Sequence, residues 1–492
     1  MDKDCIRTEI YQLHGLSHMP VGIGLVVFGL ISLISLFLRN DFSTVDNVDW
    51  LIVLTTGGAS VLFFLWLATN WQGNEFKSFG AIVMLIAIFN RLLYTLDLII
   101  NGQHFEEWPL TTKDPQMALL KGEIITVVGI LILVFSWHYA SRLIFRHNSL
   151  SRMTIGSARG YWAMYVLAIS VGIARKLFPQ EVATAGELSS VVFAGGLASL
   201  LALYASETFT YSRLILVTVM SMPFIYLSLG TGMKENTIVA ALPCTIAAWQ
   251  TFRNWLARAF LIIAGAIAIS VLTAYVGFHR DLMWYTSAGN DLTISELMQE
   301  FVARGGVQEE AILEGAYTFL KRNNAMYHRG WATDFADTFG VSATEILGPL
   351  GYIFIPRVIW SEKPKVNPGL EHTARVYGYF EAEAPDLDSS TAAGYFTALY
   401  MGTGYVGVIV GAITIALIVV WSQRLVCTYG DPYTAGLFTW MMFLFALRVD
   451  ETWPVYALSA PMISLLYAFL FGRLIALLSR FRFVPSRARA PA

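Results

Sequence analysis

Residues 257–277 read ARAFLIIAGAIAISVLTAYVG, and from Phe278 the chain turns polar: FHRDLMWYTSAGNDLTISE. The first piece is an apolar run long enough to cross about 30 Å of hydrocarbon as a helix. The second opens a stretch, residues 278–391, that is rich in Gly, Pro and ionisable groups and has no lipid-compatible run of that length. Similar apolar runs recur on both sides of it. Hydropathy places them near 20–38, 50–69, 79–100, 123–140, 161–174, 188–206, 213–230, 237–252, 257–277, 392–421, 433–450 and 455–477, about twelve helices. The chain of 492 residues is 56% hydrophobic and only 14% charged, against about 25% charged in soluble domains. The expected fold is an all-α polytopic membrane protein with one large extracytoplasmic loop domain.

Three parts follow: residues 1–277, a transmembrane bundle of about nine helices; residues 278–391, the loop; and residues 392–492, the last helices with a basic tail. Lys and Arg set the orientation. With the N-terminus inside, inward connections hold Arg142, Arg146, Arg152, Arg159, Arg213, Arg253, Arg258 and Arg424, and the tail adds Arg473, Arg480, Arg482, Arg487 and Arg489. Outward loops hold fewer, so both termini are expected in the cytoplasm and the loop outside. The first apolar run ends at Leu38-Arg39-Asn40 without a small-residue cleavage site and reads as a retained helix. Run 392–421 carries Gly402, Gly404 and Gly407 and reads as a broken or strongly tilted helix.

The loop has more Asp and Glu than Lys and Arg, which argues against binding nucleic acid. Cys5, Cys244 and Cys427 lie outside it, and their spacing suits neither a disulfide in the loop nor a metal site. No metal or cofactor is expected. Nor does an internal repeat of the kind that builds many transporters stand out.

Within the loop, Thr293-Ile294-Ser295-Glu296 has the form of a capping box, with apolar residues at helical spacing after it until Gly305-Gly306. A second helix is expected over 308–322. The apolar piece from Ile346 to Trp360, broken by Pro349 and Pro356, is too short to span and suits a re-entrant or interfacial segment. Together they would form a lid on the outer membrane face.

Cations mark the candidate site. Arg357, Lys363 and Lys365 fall in irregular backbone at headgroup level, where a lipid-linked phosphate or diphosphate would find a bidentate fork and mobile point charges. The same charges could instead meet anionic headgroups or Glu362. Arg91 lies inside an apolar run, and a charge there is a functional-site hypothesis by default; an ion pair with Asp97 is the other reading. Arg448 stands at the outer end of its helix, where snorkelling is the alternative. Lys234 sits in a Gly-rich turn and could be a turn charge. All six face the outer half of the bilayer on this topology. For acid–base work the loop offers His328, His372, Glu362 and Asp334, and Trp331 and Trp360 could stack on sugars or belong to an interfacial belt.

Residues 355–364, Ile-Pro-Arg-Val-Ile-Trp-Ser-Glu-Lys-Pro, have the form I-P-R-x-x-W-x-x-K-P. With many helices and one long late loop, this resembles the bacterial oligosaccharide repeat-unit polymerases, the Wzy-type O-antigen and capsule polymerase family. The stretch from Gly394 to Gly407 is similar to the family's post-loop helix, except that Tyr395 stands where an acidic residue is common. The turn at 230–234 is similar to the family's Gly-Ser-Arg turn, with Lys234 for the arginine. The resemblance implies a metal-independent membrane glycosyltransferase in the bacterial inner membrane. Its substrate would be an undecaprenyl-diphosphate-linked oligosaccharide, and its partners membrane lipids and a chain-length regulator. A lipid-linked glycan ligase and a polysaccharide or lipid flippase are the competing readings.

Overall fold

The apolar runs of the sequence become long helices because hydrocarbon leaves the backbone no partner but itself. The structure, a computed structural model, describes residues 78–101, 115–145, 158–177, 211–230, 234–285 except 253, 292–355 except 324, 360, 362–364, 393–449 and 451–479, and positions 193–200 in part. The expected helices at 20–38 and 50–69 lie outside the described residues, as do Arg357, Lys365 and His372.

All regular elements among the described residues are helical. The first are α1 (Ser78–Asn101), α2 (Pro115–Phe145), α3 (Ala158–Leu177), α4 (Tyr211–Leu229), α5 (Lys234–Thr251) and α6 (Trp255–Tyr285). Short helices follow: α7 (Ile294–Ala303), α8 (Glu309–Asn323), α9 (Ala325–Phe339) and α10 (Ala343–Leu347), the last running into a 3-10 turn at Gly348–Gly351. The chain closes with α11 (Tyr395–Tyr429), α12 (Pro432–Arg448) and α13 (Pro454–Leu478). Five described helices are long and apolar enough to cross a membrane: Met117–Ile144, Tyr211–Leu229, Trp255–Leu282, Tyr395–Tyr429 and Pro454–Leu477.

The main core lies where α11 packs along α2, with α1, α12 and α13 around them; Phe396, Ile415, Val419, Ile130, Leu133 and Trp137 are fully or almost fully enclosed there. At 31 residues, α2 is about 46 Å long, well over the hydrocarbon thickness. Its first turns carry Lys121 and Glu123 and meet the short helix α9 of the loop region. α6, also 31 residues, continues past residue 277, where hydropathy ends the run.

The loop helices do not hang free. The capping box closes as expected, with Thr293 and Glu296 exchanging side-chain-to-backbone bonds, and α7 buries Ile294, Leu297 and Phe301. Those bonds from Thr293 hold the Glu296 carboxyl below the usual range. Phe301 meets Tyr275 of α6 edge-on at 5.6 Å, and α8 lies along α6. The apolar residues of the piece after α9 turn onto protein: Ile346, Leu347, Leu350 and Ile353 pack with Met401, Trp453 and Val455. Phe354 and Trp360 stay exposed. The starts of α2, α11 and α13 thus lie on the side of the molecule where α9 and α10 sit.

α11 is broken, as its glycines suggest. Gly404 has φ 66° and ψ −160° inside the helix, a region open essentially to glycine alone. The break brings the rings of Tyr400 and Tyr405 edge to face, 5.0 Å apart.

Candidate functional site: a buried charge junction under the loop helices

α9 is the element that sequence periodicity does not reveal. Its inner face carries Arg329 and Thr333 as well as Tyr327, Trp331 and Ala332, so no apolar stripe marks it. It docks on α2 because α2 is smooth there: a Cβ on Gly122 would stand 2.9 Å from the backbone carbon of Arg329. The Thr333 hydroxyl lies 3.2 Å from the Ala118 carbonyl of α2 and 2.8 Å from the Gly330 carbonyl of its own helix, and donates to these acceptors.

Beneath this contact lie the most enclosed charges described. Glu123 of α2 stands between Arg91 of α1 and Arg329 of α9. Arg91 Nε is 2.8 Å from Glu123 Oε1, and Arg329 Nη1 donates to Glu123 Oε2 at 3.4 Å; the three side chains are at most 1% exposed. The Arg91 contact is an ion pair by distance, its Nε–H aimed off the oxygen. Arg91 Nη1 also donates to the Ala87 carbonyl at 3.0 Å. The Arg329 guanidinium lies over the Tyr94 ring, 5.5 Å from its centre. Asp97, six residues beyond Arg91, is fully buried too.

Two turns along α9 the same helices meet again, near the surface. Lys121 of α2 forms an ion pair with Asp337, with side chains 29% and 43% exposed. The Tyr400 hydroxyl donates to the other Asp337 oxygen at 2.8 Å, and the Lys121 ammonium lies 4.8 Å above the Tyr400 ring. A third group joins α5, α8 and α12: Arg448 pairs with Glu235, both half exposed, and the Lys234 ammonium lies 5.0 Å over the Phe319 ring. α1 packs against both α8 and α12, so this group and the buried junction sit on neighbouring helices.

The other sequence candidates are distributed as follows. Lys363 donates to the carbonyls of Ile353 and Ile355 at 2.9 and 3.0 Å, tying down the turn before it. Glu362 is exposed next to it, and Trp360 meets Tyr352 edge to face. His328 is not on an open loop: it lies on α9, half-buried, with its ring edge to face on Trp331 at 5.5 Å. Burial, and after it the Arg329 charge, pushes its imidazole down to about 4. An imidazole that weakly basic is poorly matched to general-base work near neutrality.

Sequence reasoning passed over Glu123, Arg329, Lys121, Asp337 and Tyr400. Glu123 stood at the very edge of an expected span, where a carboxylate attracts no notice. The spacing Arg329–Thr333–Asp337, every fourth residue, was the available signal for a polar face on α9.

Among the described residues, the fold and this junction define a helical architecture with apolar helices of membrane-spanning length and a charged contact between bundle and loop helices. The chain belongs to the family described as Domain of unknown function (DUF8712), whose model matches residues 87–445. That span takes in Arg91, Glu123, Arg329, Asp337 and Tyr400 and stops just short of Arg448. No curated protein matches the chain. No solved structure matches it either.

Proposed function

We propose that this protein polymerises undecaprenyl-diphosphate-linked oligosaccharide repeat units into a surface polysaccharide, as a metal-independent glycosyltransferase of the bacterial inner membrane. In this reading about twelve helices cross the membrane, both termini are cytoplasmic and residues 278–391 lie on the outer face. One observation carries the proposal: Arg91 from the bundle and Arg329 from the loop region are brought together on a single carboxylate beneath the loop helices. Planar guanidinium groups match phosphate oxygens two at a time, and a diphosphate would reach these two by taking the place of the Glu123 carboxylate that now encloses them. The motif at residues 355–364, shared in form with the polymerases it resembles, supports the same reading.

The chemistry is a substitution at a sugar's anomeric carbon. The acceptor hydroxyl oxygen forms the new glycosidic bond, the bond from that carbon to the diphosphate oxygen breaks, and the diphosphate leaves with the electron pair. The hydroxyl proton passes to a base, and guanidinium groups stabilise the charge that gathers on the leaving diphosphate.

Deleting the gene in its host tests the proposal. Loss of long-chain glycan with single lipid-linked units accumulating on the outer face is expected. Restoration of long chains by the wild-type gene, and failure of restoration by Arg91→Lys present at normal membrane level, would tie polymerisation to the junction of Arg91, Glu123 and Arg329. Units trapped on the cytoplasmic face would indicate a flippase instead. Long glycan still attached to its carrier would indicate a ligase, and an unchanged glycan profile would end the proposal.

A further inference from the structure

The half-exposed group formed by Lys121, Asp337 and Tyr400 takes no part in the chemistry just described, yet it is assembled from three helices. We propose that it is the binding station for a sugar ring of the acceptor chain, an inference that rests on the polymerase reading. Asp337 and Lys121 contact hydroxyl groups, and the exposed ring of Tyr405 offers an apolar face.

The composition of the station points to a neutral polyhydroxylated ligand rather than an anion. A carboxylate accepts at about four lone-pair positions, and an ammonium donates three hydrogens. In the contacts described, Lys121 and Tyr400 each take one oxygen of Asp337. Capacity remains on both charged groups, and both are partly open, with side chains 29% and 43% exposed. A phosphate would be repelled by Asp337. A hydroxyl is suited to both partners, since it donates to the carboxylate and accepts from the ammonium. Tyr405, 55% exposed and held edge to face against Tyr400 by the break at Gly404, supplies the flat surface on which the C–H face of a sugar rests.

The placement is apt. Asp337 lies eight residues along α9 from Arg329, about 12 Å of helix rise. A diphosphate at the arginine end and a glycan at the aspartate end would therefore be laid along one element. As a fastening alone the group would do little, because ion pairs this exposed add little to stability.

The test uses the purified full-length protein in lipid nanodiscs and short oligosaccharides made by partial acid hydrolysis of the host's own surface polysaccharide. Binding is followed by saturation-transfer NMR. The wild type should bind these carrier-free sugars. Asp337→Asn should weaken binding about tenfold and Tyr405→Ala by a comparable factor, as expected when a hydrogen bond to a charged group or a stacking face is lost. Tyr405→Ala removes only an exposed ring, so it decides the matter if Asp337→Asn does not fold. Absence of binding by the wild type, or wild-type affinity in the folded variants, would overturn the station. The gene deletion reports separately: single units accumulating there while the variants bind normally would remove the station and leave the polymerase. Sugar binding lost in the variants beside an unchanged glycan profile would leave a sugar site and remove the polymerase.

Discussion

The two ends of α9 meet the same partner, α2, through charged residues, yet they do different physical work. At the Arg329 end the charges are out of water, and each side chain has at most 1% of its surface exposed. At the Asp337 end they stay half in water. A buried charge stripped of its partner costs several kcal/mol, whereas an exposed one is re-solvated at once. The difference shows how one short helix can hold its charges out of water at one end and partly in water at the other.

The contrast can be broken by mutation. Glu123→Ala leaves two guanidinium groups facing each other without their carboxylate and should destabilise the protein by about 3–5 kcal/mol. Asp337→Asn, at the other end of the same helix, should cost less than about 1 kcal/mol. Chemical or thermal unfolding of the detergent-solubilised protein checks both. Equal losses at the two ends would erase the distinction.

A smaller effect sharpens it through pH. The His328 imidazole stays neutral in the folded protein down to about 4 instead of 6.5. Between those values the unfolded chain binds a proton that the folded chain does not, so stability rises with pH across the window and falls on acidification. The shift sets an upper bound of roughly 3 kcal/mol, and the half-buried position of the ring makes the realised effect smaller. Stability measured from pH 7 to pH 4 should fall less in His328→Gln than in the wild type. Identical profiles would mean that His328 is solvated.

Much of the fold was legible because hydrocarbon and helix caps write clear signals. The apolar runs that become α2, α4, α6, α11 and α13, the capping box at Thr293 and Glu296, and the break within 392–421 could all be read from residue types. α9 could not, because periodicity assumes that a buried face is apolar. Here the buried face carries Arg329 and Thr333, tolerated because Glu123, the Gly122 gap and the Ala118 carbonyl are waiting on α2. Arg91 was legible as an anomaly, a charge within an apolar run, but its partner was not. Asp97 is nearer in sequence, while Glu123 and Arg329 are brought to it only by the packing of α2 and α9. Lys363 shows the converse: a cation conspicuous in sequence is engaged by the carbonyls of Ile353 and Ile355.

The docking of α9 on α2 is the contact on which all of this depends, and cross-linking in native membranes tests it most directly. With Cys5, Cys244 and Cys427 replaced by Ser, the pair Ala118→Cys and Thr333→Cys puts one thiol on each helix at the level where the Thr333 hydroxyl lies 3.2 Å from the Ala118 main-chain carbonyl. Rapid disulfide formation under mild oxidant is the predicted result. Failure to cross-link, while a control pair on α2 and α11 at Gly129 and Phe396 closes readily, would contradict the account.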